Sequence, residues 1–253
     1  MNLRADRLPY QVEVVNTAAS VTAHGGLPLV IETFRTLGLS AAIREHFGFK
    51  QRMRGYSEST CIETLVALLA AGGECIDDVR MLHADGGLLR LWGRRALPAA
   101  ETLRTFLNRF HDPATVAERV AHTAFIPADS AGLRGLAAVQ RQLLRAVQER
   151  APQSHATLDV DATVIASDKR TALPVYEGGT GYQPLQTWWA EQQMWVKSQF
   201  RDGNVPAQTG VLEIVQASVA MLRDLGVTEF ALRSDSAGYR HDVLDWVRAE
   251  QIP

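Results

Sequence analysis

Two acid-bearing stretches constrain this chain more than anything else in it: Leu158-Asp159-Val160-Asp161-Ala162-Thr163-Val164-Ile165 and Phe230-Ala231-Leu232-Arg233-Ser234-Asp235-Ser236-Ala237-Gly238. Each reads as a buried β-strand, rich in apolar and β-branched residues, with a carboxylate inside the run or at its end. An unpaired charge in a buried strand is strongly unfavourable. A fold that keeps these aspartates must therefore supply a partner. The expected partner is a divalent cation shared by Asp161 and Asp235, and such sites carry out phosphoryl transfer.

The rest of the sequence splits around Ala151-Pro152-Gln153-Ser154, a breaker cluster. Before it the apolar spacing is helical. Ile62, Leu65, Val66 and Leu69 form one stripe, opened by a Thr60/Glu63 capping box and closed at Gly72-Gly73. Leu103, Phe106, Leu107 and Phe110 form a second, between Pro98 and Pro113. Leu136, Gln140, Leu143, Leu144 and Val147 form a third. A further helix is expected around Leu29 to Phe47. After the breaker, strands are expected at 155–166, 182–190, 193–201 and 228–234, with a tight turn near Glu191-Gln192. Helices are expected from Val211 to Leu225 and from His241 to Gln251. The fold class is thus α+β. An all-α N-terminal domain (1–151) precedes a β-β-β-α-β-α unit (152–253), which is the element order of a partial ribonuclease H-like domain.

Bulk properties narrow the function classes. A net charge of -2 over 253 residues gives no global basic excess, which still leaves room for a local basic face. Two cysteines suit a reducing compartment. No apolar leader opens the chain, and no run approaches the roughly 18 apolar residues of a membrane span. A cytoplasmic protein without a membrane partner is expected. The seven histidines show no paired metal-binding spacing, and Gly178-Gly179-Thr180-Gly181 lacks the Lys and helix of a phosphate loop, so it reads as a hairpin turn.

On a strand, residues two apart share a face, so Asp159 and Asp161 point together. Asp235 lies at the carboxyl end of a later strand, where ligands gather in open sheets. Oxygen-only donors favour Mg²⁺ or Mn²⁺. Asp235 also begins Asp-Ser-Ala-Gly, a competent turn and helix-cap sequence, and that structural role competes with the metal role.

Several segments resemble DDE-type insertion-sequence transposases. Thr157-Leu158-Asp159-Val160-Asp161-Ala162-Thr163-Val164 resembles the family's first acidic motif, and Arg233-Ser234-Asp235-Ser236-Ala237-Gly238-Tyr239 its second. Leu173 to Gly178, Gly181 to Leu185, and Phe200-Arg201-Asp202-Gly203-Asn204-Val205 are similar to the segments between them. Gly72 to Asp78 and Leu97 to Leu107 are similar to its N-terminal region. The resemblance spans the chain from about residue 20 onward. It implies that Asp161 and Asp235 are the first two catalytic, metal-binding carboxylates of a site that holds two Mg²⁺ or Mn²⁺ ions when complete. The implied activity is DNA cleavage at terminal inverted repeats and joining of the freed 3′-hydroxyl to target DNA, by a homo-oligomer associated with the bacterial nucleoid. Asp159 has no firm counterpart and is expected to support the site from behind its ligands. The family's third acid, a Glu within a Tyr-Arg-Glu-Lys pattern, has no match before Pro253, and Glu250 sits too early to replace it. The expectation is a truncated transposase, inactive alone.

Two other readings compete. Asp159-x-Asp161-x-Thr163 also fits the first motif of haloacid-dehalogenase-type phosphatases, with Asp159 as nucleophile and Asp161 as general acid. A non-catalytic DNA-end-binding protein or inhibitor would instead use Arg52, Arg54, Arg90, Arg94, Arg95, Arg104 and Arg109 with Trp92 interleaved. Trp188, Trp189 and Trp195 are candidates for base stacking, with sheet packing the simpler role.

Overall fold

The computed structural model describes residues 21–49, 55–120 and 123–252. The first half is helical: α1 (Leu27–Thr36), α2 (Leu39–His46), α3 (Glu58–Ala70), α4 (Val79–Ala84), α5 (Gly86–Leu91), α6 (Ala100–Leu107), α7 (Pro113–Ala117) and the long α8 (Ala131–Arg150). The second half runs β1 (His155–Ala162), β2 (Ile165–Ala166), β3 (Leu173–Pro174), β4 (Thr180–Tyr182), β5 (Leu185–Trp189), β6 (Met194–Gln199), α9 (Val211–Arg223), β7 (Glu229–Ser234) and α10 (His241–Ala249).

The main sheet has the order β6-β5-β1-β7. β5 pairs antiparallel with both β1 and β6, while β7 lies parallel to β1. The β5–β6 hairpin turns at Gln193, whose positive φ of 53° belongs to the tight turn expected there. Alternation divides β1 cleanly. Ala156, Leu158 and Val160 are buried, and they join Val211, Ile214, Val215, Val219 and Leu222 of α9 in one core with Trp189 and Val196. Thr157, Asp159 and Asp161 therefore occupy the opposite face.

The expected 155–166 strand is two strands. The chain leaves the main sheet at Thr163, whose N–H donates to the Pro184 carbonyl at 3.1 Å, and restarts as β2. There β2, β4 and β3 make a small second sheet that period alone did not reveal, since its strands are two or three residues long. The turn feeding β4 places Gly178 and Gly179 at positive φ, a hairpin-type use of that glycine run.

Helix α8 is built into both halves. Val139 packs with Phe34, Ile43 and Phe47, whereas Leu144 belongs to the core of the main sheet. Close approach to α2 needs Gly135, where a Cβ would lie 2.6 Å from the Phe47 ring and 2.7 Å from the His46 carbonyl oxygen. The buried face of α8 is therefore Gly132, Gly135, Val139 and Ala146 in addition to Leu144, and Leu136 of the expected stripe is exposed.

The α3 stripe is corrected in the same way. Leu69 is exposed, and the buried residues include Thr60, Cys61, Glu63, Thr64, Ala67 and Leu68. The cap is Ser57, whose hydroxyl accepts from the Thr60 N–H at 3.1 Å; Thr60 and Glu63 form no capping box. Glu63 is instead a buried carboxylate held by Arg35 at 2.9 Å and Arg94 at 3.0 Å, with Ser40 donating at 3.0 Å. Burial raises its carboxyl, and the Arg35, Ser40 and Arg94 contacts together outweigh that effect, leaving it below its ordinary value.

Candidate active site

The parallel register of β1 and β7 builds the site. Asp159 pairs with Arg233 and Val160 with Ser234, so Asp161 and Asp235 are the next positions across at the carboxyl ends of the two strands. Asp159 and Arg233 share the open face, where Arg233 Nε and Nη2 donate to the two Asp159 carboxylate oxygens at 2.5 and 2.7 Å. Two residues further along both strands, the same alternation directs Asp161 to that face. The Thr163 hydroxyl donates to Asp161 Oδ2 at 3.1 Å. Asp235 opens a 3₁₀ turn over Ser236–Gly238, its carbonyl accepting from the Gly238 N–H at 3.1 Å. It does not cap α10, whose N-cap is Arg240. The Tyr176 phenol lies in the field of both acids. Its hydrogen bond to Glu177 contributes most, and the charges of Asp161 and Asp235 further raise its pKa.

The premise that burial forces a counter-ion is corrected here. Asp161 and Asp235 are exposed, so water already solvates them, and desolvation is no argument for a metal. Asp159, partly buried, has its compensating charge from Arg233. Among the described residues no group of three His, Cys, Asp or Glu side chains is placed to hold a metal ion. The phosphatase alternative needs Asp159 as a nucleophile, yet both its oxygens are engaged and β1 leads into antiparallel strands.

A groove of about 890 Å³ opens beside Asp235 and is lined by Tyr176, Gln183, Asn204, Tyr239 and Arg240 among others. Its wall is shaped by the Arg201-Asp202-Gly203-Asn204 segment. Arg201 is fully buried; its Nε donates to the Gln183 carbonyl at 2.8 Å and its Nη1 to the carbonyls of Thr209 at 2.5 Å and Ala207 at 3.4 Å. Burial alone pushes its guanidinium down to about 10. The neighbouring Asp202 is equally buried and bonds Arg119, which reaches in from beyond α7. Burial raises the Asp202 carboxyl, an effect that Arg119 only partly offsets. Gly203 is confined between the Gly181 and Leu173 carbonyls, 2.5 and 2.6 Å from any added Cβ. Motif reading placed this segment in the right stretch of chain without giving it a role. Two adjacent opposite charges in a strand-like run were the available signal.

The helical half offers less of a basic face than its arginine count suggests. Arg94 is held by Glu63, Arg104 bonds Asp77 at 2.5 Å, and Trp92 is in the core. Arg95 and Arg109 are exposed, and Arg52 and Arg54 lie outside the described residues. Trp189 is core, while Trp188 and Trp195 stack edge to face at 4.8 Å, with Trp195 exposed. Glu250 pairs with Arg223 at 2.7 Å, remote from the two site aspartates in role. Among the described residues no helix is long and apolar enough to cross a membrane.

No curated protein and no solved structure matches the chain significantly. The family model for the transposase DDE domain, group 1, matches residues 7–253, nearly the full sequence. With nearly its whole length matched, the chain belongs to the DDE transposases.

Proposed function

We propose that this chain carries the first two catalytic carboxylates of a divalent-metal-dependent DNA strand cleavage and 3′-hydroxyl transfer centre acting at insertion-sequence ends. The observation that carries the reading is the parallel β1–β7 register, whose last pair, Val160 with Ser234, stands one position before Asp161 and Asp235. The β6-β5-β1-β7 order, with an antiparallel trio and one parallel strand, supports a ribonuclease H-like sheet. The donor chemistry fits the cation. Mg²⁺ is commonly held by one or two carboxylates plus substrate phosphates, and two aspartates with no nitrogen or sulfur ligand suit Mg²⁺ or Mn²⁺. Once bound, the ion supplies activation of the attacking oxygen and offsets charge on the leaving one.

The residues themselves orient that donor set. Thr163 steadies Asp161, and the Ser236–Gly238 turn sets the position of Asp235. Arg233 neutralises Asp159, which sets that carboxylate apart from the Asp161 and Asp235 pair proposed to meet the cation. Because no third acid joins them among the described residues, we infer one weakly held ion and no strand cleavage by this chain alone. The helical region 1–151 is the proposed DNA-binding part, and assembly on DNA as a homo-oligomer follows the family.

Calorimetric titration with MnCl₂ tests the reading. Wild type is expected to bind, and Asp161→Asn and Asp235→Asn each to lose most of the affinity. Equal binding by all three proteins removes the site. Nicking of supercoiled plasmid that depends on Asp161 would overturn the inference of inactivity.

A further inference from the structure

Arg201 presents a charge imbalance that the two aspartates do not explain. Its side chain is wholly buried, and all its hydrogen bonds go to backbone carbonyls. Its Nη2 is buried with no partner. Among the described residues no carboxylate forms an ion pair with it, because its neighbour Asp202 is committed to Arg119. An isolated buried cation is strongly unfavourable unless something nearby supplies the counter-charge. Two of its acceptors, Gln183 and Ala207, belong to residues that line the groove beside Asp235. The guanidinium thus lies directly behind the groove wall, where low polarisability lets its field reach into the groove with little screening.

We propose that the groove takes one or two nucleotides of a DNA single strand, with Arg201 as the fixed counter-charge that positions a phosphodiester leading to Asp235. The inference rests on the reading of the chain as a DNA-acting protein and names the strand and the residue that holds it. A volume of about 890 Å³ has room for one or two nucleotides. Tyr176 and Tyr239, both strongly exposed on the rim, offer faces on which bases stack. Two lining residues also carry side-chain atoms buried without a hydrogen-bond partner, Gln183 Nε2 and Asn204 Oδ1. Arg240 adds less than its charge implies, since Asp242 holds its guanidinium at 2.9 and 2.7 Å. Arg201 acts through the wall it braces, so it is a positioning residue.

Fluorescence anisotropy of the full chain with a 5′-labelled single-stranded oligonucleotide, in EDTA across a salt series, tests this. Arg201→Gln is expected to weaken binding by about tenfold, because the fixed charge behind the wall is lost, and to flatten the salt slope. Arg201→Lys should keep the wild-type slope, which a bracing role alone would not predict. Gln208, an exposed groove residue, provides variants that leave the buried cluster untouched: Gln208→Glu should bind more weakly than Gln208→Lys. A folded Arg201→Gln protein with unchanged affinity and slope overturns the proposal. So does equal binding by the two Gln208 variants where Arg201→Gln fails to fold, or no binding by wild type at low salt. Metal is absent throughout, so these outcomes are independent of the MnCl₂ titration that tests Asp161 and Asp235.

Discussion

Arg233→Gln should tighten Mn²⁺ binding, a counterintuitive result for the loss of a well-made ion pair. The guanidinium sits against Asp159, which is two residues from Asp161 along β1 and so about 7 Å away. A cation bound between Asp161 and Asp235 would thus lie about 8 Å from the Arg233 charge. In water-like surroundings a divalent ion and a unit charge at that distance repel by about 1 kcal/mol. The side chains are exposed by 62% and 36%, so the high dielectric constant is the appropriate one. Salt at about 50 mM, with a screening length between 10 and 30 Å, roughly halves the effect. The expectation is therefore a two- to threefold gain in affinity for Arg233→Gln and a similar loss for Asp159→Asn. The separation between the two variants should shrink at high salt. Calorimetry with MnCl₂ at two ionic strengths measures it. Stability is a built-in control, because an exposed ion pair contributes little to it. Weaker Mn²⁺ binding by Arg233→Gln, with melting unchanged, would falsify the electrostatic argument and show that the pair shapes the site mechanically.

Other perturbations address the scaffold. Glu63→Gln should destabilise the protein by about 2–3 kcal/mol, since charged hydrogen bonds from two arginines are lost. Because the folded Glu63 carboxyl lies below its ordinary 4.5, its contribution is complete above pH 4.5 and fades as pH falls through the folded value. Thermal melts from pH 7 to pH 3 should therefore show wild type and Glu63→Gln converging in acid; a constant gap contradicts the assignment. Gly135→Ala should lower stability by about 1–3 kcal/mol through the clash with Phe47 and the His46 carbonyl, read as an earlier urea midpoint. Arg119→Met leaves Asp202 buried and unpaired and should cost about 3–5 kcal/mol, with Asp202→Asn in the same chain recovering part of it. No recovery in the double variant would mean that Arg119 matters through its Thr171 contact at 3.2 Å instead.

Much of this was legible beforehand, and the failures have physical reasons. The β5–β6 hairpin, α9, β7 and α10 fall within a few residues of their expected bounds, because each carries a full period of apolar residues between turn signals. The split of β1 from β2 did not show, since Thr163 and Val164 are as β-prone as their neighbours and only the Pro184 carbonyl marks the departure. Helical stripes were misplaced where glycine does the packing: Gly132 and Gly135 are silent in a hydrophobicity pattern, yet they define the face of α8 that meets phenylalanine rings. The roles of Glu63, Arg201 and Asp202 were equally hidden, because a buried charge is recognised by its partners, and some of those partners lie as far as 83 residues away.

The two aspartates of β1 are chemically identical and two positions apart, yet their surroundings differ completely, and one geometric fact separates them. Arg233 stands 74 residues after Asp159, and the last pair of the same register, Val160 with Ser234, comes one position before Asp161 and Asp235. A single parallel register therefore delivers a cation to Asp159 and leaves Asp161 one position beyond its last pair. What holds that register is the core face. Ala156 pairs with Phe230 and Leu158 with Leu232, and Phe230 is buried beneath α9. Slipping β7 by one residue would turn Phe230 to the open face and Arg233 into the core. Apolar burial on one side of the sheet thus dictates the charge pattern on the other, and the candidate site follows from packing before any ligand is considered.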